Sequence, residues 1–263
     1  MNRTVKIVGI TCIAFFIYYF ASHLFFHSLR TWLNYSFHQL ALSHVLTYVL
    51  LGTPLYIGTV LITTKKNFCN SLGLSGSILQ GAGVALLFTS PMFVGYAFVF
   101  DVNLNLSFTR LIQGVAAAGF FEELYFRAFL FGMIYRYTRI GFMPAIFFGA
   151  LLFASGHLHQ STELSILIGV FISTFMGAIF FAWLYCEWKF NLWVPIFMHM
   201  LMNLAWMLYD VSGHALGGQS ANVFRFITIG CAIIFTLIYK KRQHQTLEIT
   251  RKTLWLKPTL AKT

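Results

Sequence analysis

Residues 111–135 read LIQGVAAAGFFEELYFRAFLFGMIY, an apolar run that carries Glu122, Glu123 and Arg127 near its middle. A hydrocarbon core of about 30 Å takes roughly 20 helical residues, so the run is long enough to cross a bilayer. Each charged side chain at the centre of such a span costs roughly 2.5–3.5 kcal/mol on insertion scales. Three of them in one span face a protein interior or a wet cavity and have partners there. The stretch therefore predicts a bundle of membrane helices with a functional site inside it.

Further apolar runs flank this one at about 5–26, 44–63, 78–100, 141–158, 164–185, 191–209 and 223–239. Together they predict an all-α, polytopic membrane protein, a bundle of about eight transmembrane helices. The composition agrees, with 58% hydrophobic and only 10% charged residues and a mean hydropathy of +0.74. A soluble domain carries about 25% charged residues. The reading is one transmembrane domain over 1–242 with a functional core over about 112–209, followed by a basic cytoplasmic tail over 243–263. The first run exceeds the roughly 7–15 apolar residues of a secretory signal, and reads as a retained anchor. The run at 141–158 is the shortest and contains Ser155 and Gly156, where a break or tilt is expected.

A net charge of +11 invites a nucleic-acid partner, but the placement of the cations excludes one. Fourteen fall on one side of the predicted spans: Arg3, Lys6, Lys65, Lys66, Arg136, Arg139, Lys189 and the seven from Lys240 to Lys262. Three, Arg30, Arg110 and Arg225, fall in the loops opposite. The positive-inside rule then places both termini in the cytoplasm of a multi-pass cell-membrane protein. The basic tail is expected against anionic lipid head groups, at about 1 kcal/mol per cation. Cys12, Cys69, Cys186 and Cys231 are widely spaced, and predict neither a disulfide framework nor a thiolate metal site.

Glu123 and Arg127 are four residues apart and can pair on one helix face. Glu122 is rotated by about 100° from Glu123 at 3.6 residues per turn, so it can aim at a cavity. The plainer alternative is a buried bridge that only locks helices together. Other spans add polar groups: His157 lies four residues after Phe153, and His199 and Asn203 lie four apart. Together these supply a base, two imidazoles and an amide, the parts needed to activate water and stabilise an oxyanion. Counted from the cytoplasmic ends at 1.5 Å per residue, Glu122 lies about 20 Å deep, His199 about 12 Å and His157 about 24 Å. His157 reaches their level only if helices tilt or its span breaks at Ser155–Gly156. His23, His27, His38, His44, His159, His214 and His244 read as surface or interfacial groups.

These residues resemble the motifs of the CAAX-protease and bacteriocin-processing (ABI) family of intramembrane endopeptidases. Glu122, Glu123 and Arg127 match EExxxR, Phe153 and His157 match FxxxH, and His199 and Asn203 match HxxxN. The resemblance spans about Ala116 to Trp206, in motif order. It implies an endopeptidase cutting a membrane-associated peptide or protein, with Glu122 as general base aided by His157. His199 and Asn203 would stabilise the oxyanion or hold a metal, while Glu123 and Arg127 would pair and shape the cavity. Arg127 alternatively meets a substrate carboxylate. The resemblance leaves two mechanisms open, one with zinc held by Glu122, His157 and His199, and one without metal. No HExxH occurs. The pattern looks like bacterial members, which resemble bacteriocin-processing or self-immunity proteins. The competing functions are a non-enzymatic immunity or scaffold protein on the same fold, and a proton-coupled carrier.

Overall fold

The computed structural model describes residues 2–258, so Lys262 of the predicted tail lies outside the described residues. Among the described residues, eight long helices carry the chain. They are α1 (Arg3–Phe37), α2 (Leu40–Ile62), α3 (Ile78–Val99), α4 (residues 108–137), α5 (Phe142–Ser155), α6 (Leu164–Glu187), α7 (Trp193–Leu208) and α8 (Gln219–Arg242). Helix α2 is interrupted at Gly52, with Pro54 opening its second half, where a missing N–H costs nothing.

Six of the helices are long and apolar enough to cross a membrane: α1, α2, α3, α5 with its following turn, α6 and α8. The two that differ from the sequence expectation are α4, which carries the charges, and α7, which has only 16 residues. At 1.5 Å per residue α7 is about 24 Å long, short of a full crossing. It needs no lipid face, because none of its side chains is exposed. Large apolar side chains such as Ile13, Leu24, Leu79, Phe98 and Ile172 point outward from α1, α3 and α6 instead.

Within the apolar spans, four buried threonine hydroxyls satisfy themselves locally. Thr11, Thr47, Thr59 and Thr89 each donate to the carbonyl four residues back at 2.7–2.9 Å. Without water to accept those hydrogen bonds, this is the cheapest way to bury a threonine.

The packing is set by small residues, as expected where lipid removes the hydrophobic driving force between helices. A Cβ on Gly81 would stand 2.6 Å from the Cβ of Trp193, and one on Gly119 would stand 2.6 Å from Met200 Cγ and 3.0 Å from its backbone nitrogen. These two glycines let α3 and α4 close onto α7, which puts α7 at the centre. Helix α6 leans on α5 and α8 leans on α3. The space between α6 and α8 consequently stays open as a cleft, with α7 at its back.

The predicted tail behaves differently from a segment lying on lipid. Residues 243–258 fold back across the end of the bundle where α5 begins. The amides of Gly141, Phe142 and Met143 donate to the carbonyls of Trp255, Thr253 and Leu254 at 3.0, 2.9 and 2.9 Å, capping the otherwise orphaned start of α5. Glu187 anchors the same segment by accepting from the amides of Glu248 and Ile249 at 3.1 and 2.9 Å while pairing with Lys240 at 2.5 Å. Lys257 donates to the carbonyl of Tyr135 and covers its ring, and burial draws its ammonium below the ordinary lysine range. Two cations counted for the membrane surface, Lys240 and Lys257, are thus internal. The physical reason is Glu187, a carboxylate at a helix end that backbone amides and an ammonium can reach.

Candidate active site

Helix α4 departs from ordinary helical winding at the charged motif. Its hydrogen bonds run i→i+5 over Ile112–Ala117 and again over Glu123–Phe131. Such wide turns are uncommon and are frequent at functional sites, because they re-aim side chains and release carbonyls from the ladder. Inside the first of these turns, the carbonyl of Gly114 accepts from Asn203 Nδ2 of α7 at 2.9 Å.

Glu123 and Arg127 are completely buried, and Arg127 Nε stands 3.3 Å from Glu123 Oε2. This is an ion pair without hydrogen-bond alignment. The guanidinium is held instead between rings, 4.2 Å over Phe153 and 5.6 Å from Phe181. A desolvated cation over an aromatic face contributes about 2 kcal/mol, which offsets part of the burial cost. That stacking explains why Phe153 belongs with the motif: it lies over the arginine, four residues before His157.

The other oxygen of Glu123 does something the sequence did not announce. Oε1 accepts from His199 Nδ1 at 2.8 Å. A carboxylate there fixes Nδ1 as the donor, which leaves Nε2 as the free ring nitrogen. Nε2 is turned toward Glu122 and stands 3.8 Å from its Oε2. The imidazole is further fixed by stacking on Phe181, with centroids 5.3 Å apart and planes at 20°. Glu122 and His199 retain 23% and 12% side-chain exposure, so this pair is wet where Glu123 is dry.

Glu122, Arg127, His157, His199 and Asn203 all line one cavity of about 1220 Å³. It follows the cleft between α6 and α8 and ends at the loops holding Gln160 and His214. Helix α5 stops at Ser155, where the sequence predicted a break, and His157 follows in a turn with its Nδ1 on the Phe153 carbonyl at 2.7 Å. That bond likewise leaves Nε2 free. His157 therefore shares the cavity with Glu122 and His199, but its only polar contact among the described residues is Phe153. Asn203 is partly committed, with one amide hydrogen toward Gly114 and the other unassigned.

The ligand set expected for zinc was Glu122, His157 and His199. The donors suit zinc chemically, since each imidazole has a free Nε2 and a second-shell acceptor on Nδ1. Their spacing does not, because among the described residues no three His, Cys, Asp or Glu side chains gather closely enough to hold an ion. As placed, the residues do not fit the metal, and no chemical step below runs through it.

Several polar groups that line the cavity escaped the sequence reading. His159 is exposed, as expected, and His214 is half-buried; both also line the cavity. Arg225 was counted as an outer-loop cation, but α8 begins at Gln219 and places it inside the helix, on the cavity wall. The signal was available in part: an arginine two residues into an otherwise apolar run deserves the same suspicion as Arg127.

Residues 104–205 match the family described as type II CAAX prenyl endopeptidase, Rce1-like. The match covers under half of the chain and is a likeness to that family. It contains every motif residue from Glu122 to Asn203 and ends before α8. No curated protein matches the chain, and neither does any solved structure. Six helices long and apolar enough to cross a membrane make the chain a multi-pass membrane protein, and its middle part is similar to that endopeptidase family.

Proposed function

We propose that the chain hydrolyses a peptide bond of a membrane-associated protein or peptide with water activated by Glu122. The observation that carries this reading is the gap of 3.8 Å between Glu122 Oε2 and His199 Nε2 on the wall of an open cavity. Polar groups separated by more than 3.5 Å are commonly bridged by water, so the gap suits a bound water with both groups as acceptors. As the water oxygen bonds to the scissile carbonyl carbon, Glu122 takes a proton from it. The free Nε2 of His157 assists from the same cavity. The remaining amide hydrogen of Asn203 is available to the oxyanion. When the C–N bond breaks, Glu122 returns the proton to the departing amine, giving a carboxylate and an amine as products. Glu123 acts through His199: its carboxylate holds the imidazole in one tautomer, and Arg127 holds Glu123.

The charge count supports cytoplasmic termini. With that orientation the cavity mouth at Gln160 and His214 opens on the opposite face of the membrane, and the cleft between α6 and α8 admits a substrate sideways from lipid. Bacteriocin processing is one substrate class consistent with this geometry.

The test compares wild type with Glu122→Gln, His199→Ala and His157→Ala on a membrane-anchored reporter peptide, with monodispersity checked for each. The reading requires loss of cleavage in the first two with the fold intact. Unchanged cleavage in Glu122→Gln overturns it. Metal content of the purified protein and its activity under chelation decide the zinc expectation separately.

A further inference from the structure

We propose that Arg225 anchors an anionic group of the substrate, a few residues from the scissile bond. The inference rests on the hydrolytic reading of the Glu122 centre and adds a specificity residue outside the matched span.

Arg225 lines the same cavity as Glu122 and His199. Its guanidinium lies 4.3 Å over the ring of Trp206, and Nη1 donates to Ser173 Oγ at 2.9 Å and to the Leu216 carbonyl at 3.5 Å. Those contacts fix the group at the outer part of the cleft, joining α8 to α6. They do not neutralise it. Among the described residues no carboxylate pairs with Arg225, and its Nε and Nη2 make no hydrogen bond. The other arginine in the bundle interior, Arg127, has Glu123. A guanidinium in a largely apolar cavity with two free donors is short of an anion, and its planar fork suits a carboxylate or a phosphate in bidentate fashion.

The spacing indicates what part of a substrate it meets. Trp206 lies seven residues beyond His199 on α7, roughly 10 Å along the helix at 1.5 Å per residue. An extended peptide covers that distance in about three residues. A chain whose scissile bond sits at Glu122 would thus bring a negative group, a terminal carboxylate or an acidic side chain, to Arg225. A phospholipid head group entering by the same cleft offers equivalent chemistry.

The experiment uses full-length Glu122→Gln protein in phosphatidylcholine nanodiscs, so that binding is read without turnover. The probes are two fluorescent stearoyl-anchored Ala/Leu decapeptides, identical except for a C-terminal carboxylate or carboxamide. Expected is about tenfold tighter binding of the carboxylate, equivalent to about 1.4 kcal/mol, with the preference abolished by Arg225→Gln and partly kept by Arg225→Lys. A preference that survives Arg225→Gln overturns the proposal, as does equal binding of both peptides before it. If Arg225→Gln weakens both peptides equally, the residue is only a latch between α6 and α8, and the proposal again fails. Repeating the measurement with phosphatidylglycerol identifies the source of the anion: Arg225-dependent competition by that lipid assigns the site to an anionic lipid head group and overturns the substrate assignment. Peptide binding with this Arg225 dependence, together with no cleavage by wild type, would overturn the hydrolytic reading and leave the anchor standing.

Discussion

Glu187 and Glu122 are carboxylates of the same bundle in opposite situations. Glu187 is closed on every side, with an ammonium at 2.5 Å and two backbone amides at 3.1 and 2.9 Å on its oxygens. Among the described residues Glu122 has one ion-pair partner, His199 Nε2 at 3.8 Å, and it lines a cavity. A carboxylate with both oxygens engaged holds structure together, and the C-terminal segment is what Glu187 holds. A carboxylate left open beside a positioned imidazole can take a proton. Glu123 stands between these cases: it is as buried as Glu187, and its partners Arg127 and His199 belong to the reactive side.

The contrast is broken most directly at Glu122. Replacing it with Gln keeps the shape and removes the base, so cleavage of the reporter should fall by roughly 10²–10⁴-fold with little change in thermal stability. A similar substitution at Glu187 should leave cleavage in place. Next comes Glu123→Ala, which strands the buried Arg127 and frees His199 to rotate. It should cost about 3–5 kcal/mol in stability and lower the rate as well, read by thermal unfolding in detergent and by cleavage in parallel. Glu187→Ala should release residues 243–258, since two amides lose their acceptor at about 1–3 kcal/mol for each buried group left unpaired. Limited proteolysis would then cut within that segment, which wild type protects. Gly119→Ala sharpens the comparison from the packing side. Its Cβ meets Met200 at 2.6 Å and should push α7 away from α4 at about 1–3 kcal/mol, lowering cleavage through His199 without touching a polar group.

Much of this was legible in the chain. The eight apolar runs coincide with the eight helices, and Ser155–Gly156 ends α5 as anticipated, because a helix-length stretch without polar backbone partners has few alternatives in lipid. The i,i+4 pairing of Glu123 and Arg127 followed from local spacing alone. The depth count was less useful. It treated each helix as a straight rod along the membrane normal, whereas α7 is short and enclosed and α5 gives way to a turn before His157. The double role of Glu123 was invisible, since its second partner sits 76 positions away. The fate of 243–258 was misjudged because composition reports that a segment is basic and says nothing about an acceptor waiting at Glu187.

Local patterning thus decided which segments are helices, which residues are costly to bury, and which reactive groups the bundle must accommodate. Tertiary packing decided which of those groups touch. Two glycines allow α7 to approach closely enough for His199 to reach Glu123 and face Glu122, while the separation of α6 from α8 leaves the cavity and Arg225 open. Helix formation depends on neighbours a turn apart and can be read along the chain. Contact between helices depends on surface shape at every interface at once, which no single stretch of sequence contains.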